Sequence, residues 1–376
     1  MTSPTQGERT NIMTPVPITG ARGFLGWHTR GALHAGGIES IPVAVGAGFE
    51  LDSAVAALEG ASRFIHIAGV NRAADDDVRD GNILFAQQAA DALRRAETPP
   101  AVVAYANSTQ AGNGSQYGAA KEQAAAILAA AADDRGVEFV DLKLPNLFGE
   151  HGRPFYNAVT STFCHTLANG GQPQVENDKE LTLLHAQNAA DLLTGAVDPS
   201  EQDVLERRVL VSELLEMLSE FSGIYATGAI PDLSDPFHRD LFNTYRAYAF
   251  EASPEIPLVK HADPRGSFFE MIRTHGGESQ ASFSTTVPGI SRGDHYHRRK
   301  VERFTVLVGE ATIALRKMFT DDVKEIHVTG DVPVSVDMPT LWSHKITNTG
   351  SSTLFTSFWA NELFDVDRPD TVRELV

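Results

Sequence analysis

With 376 residues, 42% of them hydrophobic and 21% charged, the chain has the balance of a globular protein and exceeds one ordinary core, so two domains are expected. A net charge of −18 sets up a field that repels nucleic acid and anionic lipid, which argues against both as partners. The single cysteine, Cys164, excludes an intramolecular disulfide and a cysteine metal cluster.

In chain order, residues 1–13 are polar and lack an apolar h-region, so they read as a flexible tail rather than a secretory signal. No run of 18 apolar residues follows. A reducing cytoplasm is the expected compartment. From residue 16 to about 196, short apolar runs alternate with helical patterns. Strands are expected at 40–45, 63–68, 101–106 and 138–144, and helices at 24–34, 78–96 and 117–132. That alternation predicts an α/β, Rossmann-type doubly wound parallel sheet. A helix at 209–221 closes this domain, taken as 14–248. Two prolines mark 249–258 as a linker. Over 259–376, strand-like runs at 268–273, 281–287, 303–308, 311–315, 325–328, 332–336 and 353–359 are separated by Gly, Pro, Asn and Asp. They predict an all-β barrel or sandwich.

Thr19-Gly20-Ala21-Arg22-Gly23-Phe24-Leu25-Gly26 follows a strand and opens a helix. Gly20 permits the tight turn, Gly23 lets backbone approach a pyrophosphate, and Gly26 lets helix pack on strand. The pyrophosphate would sit at the positive helix N-terminus. Pro15 and Pro17 remove ladder hydrogen bonds, so the first strand must be short or irregular. The second strand ends at Gly46 with neither an acid for an NAD ribose nor an arginine for an NADP phosphate. Arg22 then either touches the 2′-phosphate or is a solvated loop cation. Gly46–Phe49 departs from a clear 2′-phosphate site, so NADPH and NADH both stay open.

Ser108 ends the fourth strand, and Tyr117-Gly-Ala-Ala-Lys121 opens the next helix. Tyr117 and Lys121 share a helical face at i and i+4. An ammonium there would lower the tyrosine pKa, letting Tyr117 protonate a ketone oxygen while Ser108 hydrogen-bonds it. Alone, the pair could equally be a surface feature. Behind a glycine loop it reads as catalytic.

His295 and His297 lie one residue apart in a strand context and so face one side. Glu302 follows five residues after His297, and His344 comes from a second turn. Three imidazoles and a carboxylate suit a divalent transition metal. The first segment resembles the first cupin motif. The second matches at Pro339, His344 and Asn348, with Leu341 in place of glycine. A metal-free cupin that hydrogen-bonds substrate through these side chains is the other reading.

Ser108, Tyr117 and Lys121 with the glycine loop resemble the extended short-chain dehydrogenase/reductases, which modify nucleotide sugars. In that resemblance His66-Ile67-Ala68-Gly69 passes the cofactor, and Thr19, Phe24, Leu25, Tyr117 and Lys121 line it. Residues 67–72, 108–110, 117–121, 144–149, 156–159, 163–164, 180–183 and 359–364, with the His-Tyr-His region, resemble the CapF-type capsular polysaccharide and O-antigen enzymes. This resemblance implies a homodimer with a zinc cupin. The cupin would epimerise C3 of a UDP-2-acetamido-2,6-dideoxy-4-hexulose, and the first domain would reduce the C4 ketone with NADPH to an L-talose-type product. The alternative is a 4-ketoreductase whose cupin is a zinc-stabilised dimerising module, acting on this or another deoxysugar. Lys300, Tyr296, Lys317 and His327 stand as candidates for the base that takes the C3 proton.

Overall fold

A computed structural model describes residues 14–264 and 266–376; the tail expected at 1–13 lies outside the described residues. Contacts divide the described residues into two compact units, one of residues up to 145 together with 188–202, the other of 146–187 and 203–376.

The first unit alternates β1 (Val16–Thr19), α1 (Phe24–Ala35), β2 (Ser40–Val43), α2 (Leu51–Leu58), β3 (Arg63–His66), α3 (Asp75–Arg95), β4 (Val102–Ser108), α4 (Gln116–Arg135) and β5 (Glu138–Leu144). The strands form one parallel sheet in the order β2-β1-β3-β4-β5. It is the Rossmann-type sheet read from the alternation. Leu58, Phe64, Leu93, Val103, Tyr105 and Leu128 are among its buried core residues. β1 is four residues long and carries Pro17 in register with Ile41, so the proline is accommodated by brevity. Helix α2 was not expected. It is short and follows a turn at Gly46–Gly48, too brief for a periodic signal.

The second unit opens with β6 (Asn146–Phe148), α5 (Val159–Ala168) and β7 (Glu180–His185). Helix α6 (Ala186–Thr194) starts here, but its residues from 188 on belong to the first unit, which extends to 202. The short α7 (Gln202–Leu205), β8 (Arg207–Leu210), α8 (Val211–Ala226) and α9 (Pro236–Ala252) continue the chain. β6-β7-β8 form a three-stranded sheet. Asp235 caps α9 through the Phe237 and His238 amides, with Pro236 at its first position.

Next come β9 (Glu255–Pro257), β10 (His261–Asp263), β11 (Gly266–Phe268), β12 (Gln280–Thr286), β13 (Ser291–Tyr296), β14 (Glu302–Val308), β15 (Glu310–Lys317), β16 (Val323–Thr329), β17 (Val334–Met338), β18 (Trp342–Asn348), β19 (Leu354–Ala360) and β20 (Val372–Arg373). Two antiparallel five-stranded sheets result, β12-β19-β14-β17-β9 and β16-β15-β18-β13-β20, the arrangement of a cupin barrel. Val306, Ile313, Leu315, Met338, Trp342 and Ile346 belong to the core within it.

Two strand expectations are corrected. Residues 268–273 hold strand only up to Phe268, and β17 begins at Val334. Within 249–258, Glu255–Pro257 pairs with β17 as an edge strand, the position where proline is tolerated. Tyr225, Arg246, Arg303 and Asp337 form a buried polar cluster. Arg303 Nε donates to Asp337 Oδ1 at 2.6 Å and Tyr225 Oη to Oδ2 at 2.9 Å.

Candidate functional site

The glycine loop is built by close approach. Gly20 has φ +69°, and a Cβ there would lie 2.8 Å from the Ala68 nitrogen. A Cβ on Gly26 would lie 2.1 Å from the Gly20 carbonyl oxygen, so only glycine lets α1 start against this turn. Thr19 Oγ1 accepts from the Ile67 and Ala68 amides at 3.0 and 3.1 Å. Its own proton then goes to His66 Nδ1 at 2.9 Å. Burial, with a smaller push from Lys121, lowers the His66 pKa to about 3, so the imidazole is neutral. His66 holds the loop that Thr19 and Gly20 begin. Gly69 follows on the same strand exit, and a Cβ there would meet Asn82 Oδ1 at 2.8 Å. Arg22 is exposed in the loop, and its charge lowers the pKa of Arg30 on α1 after the larger effect of burial. Phe24 is half-buried, whereas Leu25 is buried. The open backbone between Gly20 and α1 fits a dinucleotide pyrophosphate.

Tyr117 is half-buried at the start of α4, and Ser108, at the end of β4, favours the ionised form of its phenol. Lys121 is 4% exposed. Its Nζ donates to the Ala106 carbonyl at 2.7 Å and lies 4.2 Å from the Tyr105 ring centre. The expected depression of the tyrosine pKa is not what this arrangement gives. Burial raises the Tyr117 pKa, opposed by Ser108. Burial also lowers Lys121 to about 7, against the attraction of Asp141. Desolvation is the largest effect on both groups.

In the barrel, His295, His297, Glu302 and His344 bring one ligand atom each within 4.8 Å of one another. β13 carries His295 opposite His344 of β18, past a bulge between Gly293 and His295. His297 lies just beyond the strand, and Glu302 opens β14. Glu302 Oε2 is 3.1 Å from His297 Nε2 and 3.3 Å from His344 Nε2. The other ring nitrogens are spent on backbone: His297 Nδ1 donates to the Asp370 carbonyl at 2.6 Å, and His344 Nδ1 to that of Trp342 at 3.1 Å. These two bonds fix the orientation of His297 and His344, with Nε2 of each turned toward the cluster. The buried His344 Nε2 has no partner of hydrogen-bond geometry. Burial, with repulsion from His344 and His297, lowers His295 to about 4. Burial likewise lowers His344. Burial opposes ionisation of Glu302, but the two imidazoles overcome it and hold the carboxyl well below its usual range. Lowered pKa values at His295 and His344 beside a carboxyl held ionised suit a metal ligand set. The donor set therefore fits a zinc-type ion. His297 and His344 are buried, whereas His295 and Glu302 are partly exposed, so the cluster opens on one side.

Leu341, at the expected glycine position, adopts φ +59° and is 1% exposed. Of the base candidates, Lys300 Nζ donates to the Pro369 carbonyl at 3.0 Å. His327 stands on the exposed side of β16, hydrogen-bonded to Thr312. Tyr296 is wholly buried and burial raises its pKa. Lys317 is half-buried, its pKa lowered by burial against Glu251 and Asp322.

Two groups escaped sequence reasoning. Glu150, 0% exposed, accepts from His185, Gln187 and Thr340, while the other ring nitrogen of His185 lies 3.7 Å from Asp240. Burial disfavours charge on His185, but Asp240 and Glu150 outweigh it and raise its pKa. Asp370 is the other. Neither has a local spacing signal, because both act across long sequence separations.

Residues 16–205 match the NAD dependent epimerase/dehydratase family, and residues 261–372 match the polysaccharide biosynthesis C-terminal domain. The chain is 32% identical to a Pseudomonas aeruginosa UDP-2-acetamido-2,6-beta-L-arabino-hexul-4-ose reductase over 95% of this chain and 97% of the relative. A Bacillus subtilis spore coat polysaccharide biosynthesis protein, SpsL, is 28% identical over 31% of this chain and 83% of its own length. Among solved structures, the capsular polysaccharide assembling protein CapF from Staphylococcus aureus superposes with a TM-score of 0.61 at 31% identity, covering 96% of this chain and 100% of that one. The glycine loop with Ser108 and Tyr117, the barrel that follows, and these full-length likenesses lead to one assignment: the chain belongs to the NAD dependent epimerase/dehydratase family, as a CapF-type, NAD(P)-dependent nucleotide-sugar reductase/epimerase.

Proposed function

We propose that the chain inverts C3 of a UDP-2-acetamido-2,6-dideoxy-4-hexulose in the barrel and reduces its C4 ketone with NADPH in the first unit. The product is of the UDP-2-acetamido-2,6-dideoxy-L-talose type. The observation that carries this reading is the half-open cluster of His295, His297, Glu302 and His344, in a chain 32% identical to a hexul-4-ose reductase. His295, His297, Glu302 and His344 would hold zinc, which when bound supplies Lewis acidity to a sugar oxygen. The C3 proton is acidic because it lies α to the C4 carbonyl, and the partly exposed side of the cluster admits that edge of the sugar. The glycine loop and α1 would hold NADPH, which supplies the hydride. Tyr117 then gives its proton to the C4 oxygen, and Ser108 hydrogen-bonds the same oxygen. A phenol kept protonated by burial is suited to donating it. We assign the functional boundary to the 249–258 stretch. The chain works in the cytoplasm, in keeping with a buried free thiol at Cys164; no described helix is long and apolar enough to cross a membrane. A homodimer is supported by β12, an uncharged edge strand whose Phe283 is 70% exposed.

The test is isotopic. Zinc-loaded protein with the 4-hexulose in deuterated water should place deuterium at C3 without NADPH, and NADPH should then be consumed. No deuterium at C3 sinks the epimerase half.

One observation favours a second reading, a reductase with a structural zinc barrel. Four protein donors can close a tetrahedral site, whereas catalytic zinc usually keeps one position open. Under it, chelation lowers the melting temperature yet leaves reduction of an already epimerised ketose intact.

A further inference from the structure

We infer that Asp370 is the positioning residue of the barrel cluster: it sets the loop after His297 and the ring of His297 together. This rests on the metal reading above and adds to it a residue far from the ligands in sequence. Three backbone amides in a row, those of Arg298, Arg299 and Lys300, point at the Asp370 carboxylate, at 3.0, 2.9 and 2.8 Å. The same residue's carbonyl accepts from His297 Nδ1 at 2.6 Å. Its side chain is 3% exposed, so these bonds are made out of water and are charge-assisted. Lys300 Nζ closes on the neighbouring Pro369 carbonyl, and Arg299 Nη1 lies 3.8 Å from Asp370 Oδ1. β20 begins two residues later and pairs with β13 at His295 and Tyr296, which holds residue 370 in place.

Two of the loop's carbonyls are occupied too. Gln187 Nε2 donates to the Arg298 carbonyl at 2.6 Å, and Asn243 Nδ2 to that of Arg299 at 2.8 Å. With three amides and two carbonyls paired, this loop has little freedom. Asp370 has φ +43°, a left-handed conformation that aspartate and asparagine tolerate better than most residues. From this backbone one residue presents both its carboxylate to the loop and its carbonyl to His297. A bond to the distal nitrogen of a ligating histidine fixes tautomer and orientation and is worth about 10- to 100-fold in metal affinity.

The experiment compares zinc affinity of the full chain with that of Asp370→Asn, by competition with a chromogenic chelator, and follows NADPH binding by fluorescence in the same samples. Asp370→Asn keeps the size and the left-handed backbone but turns one acceptor into a donor facing amides. Expected is zinc binding about 10- to 100-fold weaker with NADPH affinity unchanged. A second variant, Asp370→Gly, keeps the carbonyl and tolerates the backbone angle; it should weaken zinc at least as much. Equal zinc affinity in wild type and both variants overturns the inference alone. A parallel loss of zinc and NADPH binding also overturns it, because that is general misfolding. A wild-type chain that takes up no zinc overturns the metal reading, and this inference with it.

Discussion

The Leu341 amide donates to the His297 carbonyl across 2.8 Å, so the turn that delivers His344 is hydrogen-bonded to the residue it joins at the cluster. Leu341 makes that bond from φ +59°, where an L side chain costs about 1–2 kcal/mol. Its side chain is 1% exposed, and removing a buried leucine costs about 2–5 kcal/mol. Burial wins. Leu341→Gly should therefore destabilise the barrel by about 1–3 kcal/mol, despite matching the cupin pattern better. Urea unfolding of the zinc-free chain followed by tryptophan fluorescence checks it, and a higher midpoint would show that the backbone angle dominates.

Tyr117→Phe should separate the two chemistries. Losing the proton donor should slow ketone reduction by about 10²- to 10⁴-fold. Deuterium exchange at C3 should continue at the wild-type rate, since the barrel cluster is untouched. Equal loss of both activities would mean that one site performs them.

Gly26→Ala tests the loop. The added methyl would meet the Gly20 carbonyl oxygen at 2.1 Å, so α1 must move away from the turn. We expect NADPH affinity to fall by at least about tenfold, which is ~1.4 kcal/mol, with zinc content unchanged. Calorimetric titration with NADPH reads the first, and metal analysis the second.

Two buried histidines should respond to pH in opposite directions. The pKa of His66 is depressed to about 3 by burial, against about 6.5 unfolded. Its contribution is fully present above 6.5 and is lost as pH falls from there towards 3, at up to ~1.4 kcal/mol per pH unit. His66→Asn should flatten the acid limb of a melting-temperature profile between pH 6.5 and 4.5. His185 is raised by Asp240 and Glu150 despite burial. Its contribution is fully present below 6.5 and is lost as pH rises through its folded value. Imidazole NMR should show His185 titrating above 6.5, while His66 stays neutral down to at least pH 5.

The parallel sheet of the first unit follows from alternating runs, and the barrel from short strands parted by turn residues, because both are local patterns; the strand order is not written in either. The four cluster residues are named by spacing, and the structure brings them within 4.8 Å. The Tyr117–Lys121 spacing shows a shared face but not that burial prevails over charge there. Helix α2 is too short to register, and the run at 268–273 has strand composition but, among the described residues, pairs beyond Phe268 only through the Ile230 amide on the Arg273 carbonyl and the isolated bridge that follows it. Asp370 and Glu150 are invisible to pattern reading. Each works through side chains or amides 35 to 190 residues away, and a lone acid carries no period.

Gln187 and Asn243, which occupy the loop carbonyls beside His297, both precede the stretch that looks like a natural cut. A fragment beginning at 259 would retain all four cluster residues and Asp370 yet forfeit these two amides, leaving the Arg298 and Arg299 carbonyls to water. The His/Glu cluster is thus not a portable cassette. Grafting or excising it demands that helix α9 and the start of α6 travel along.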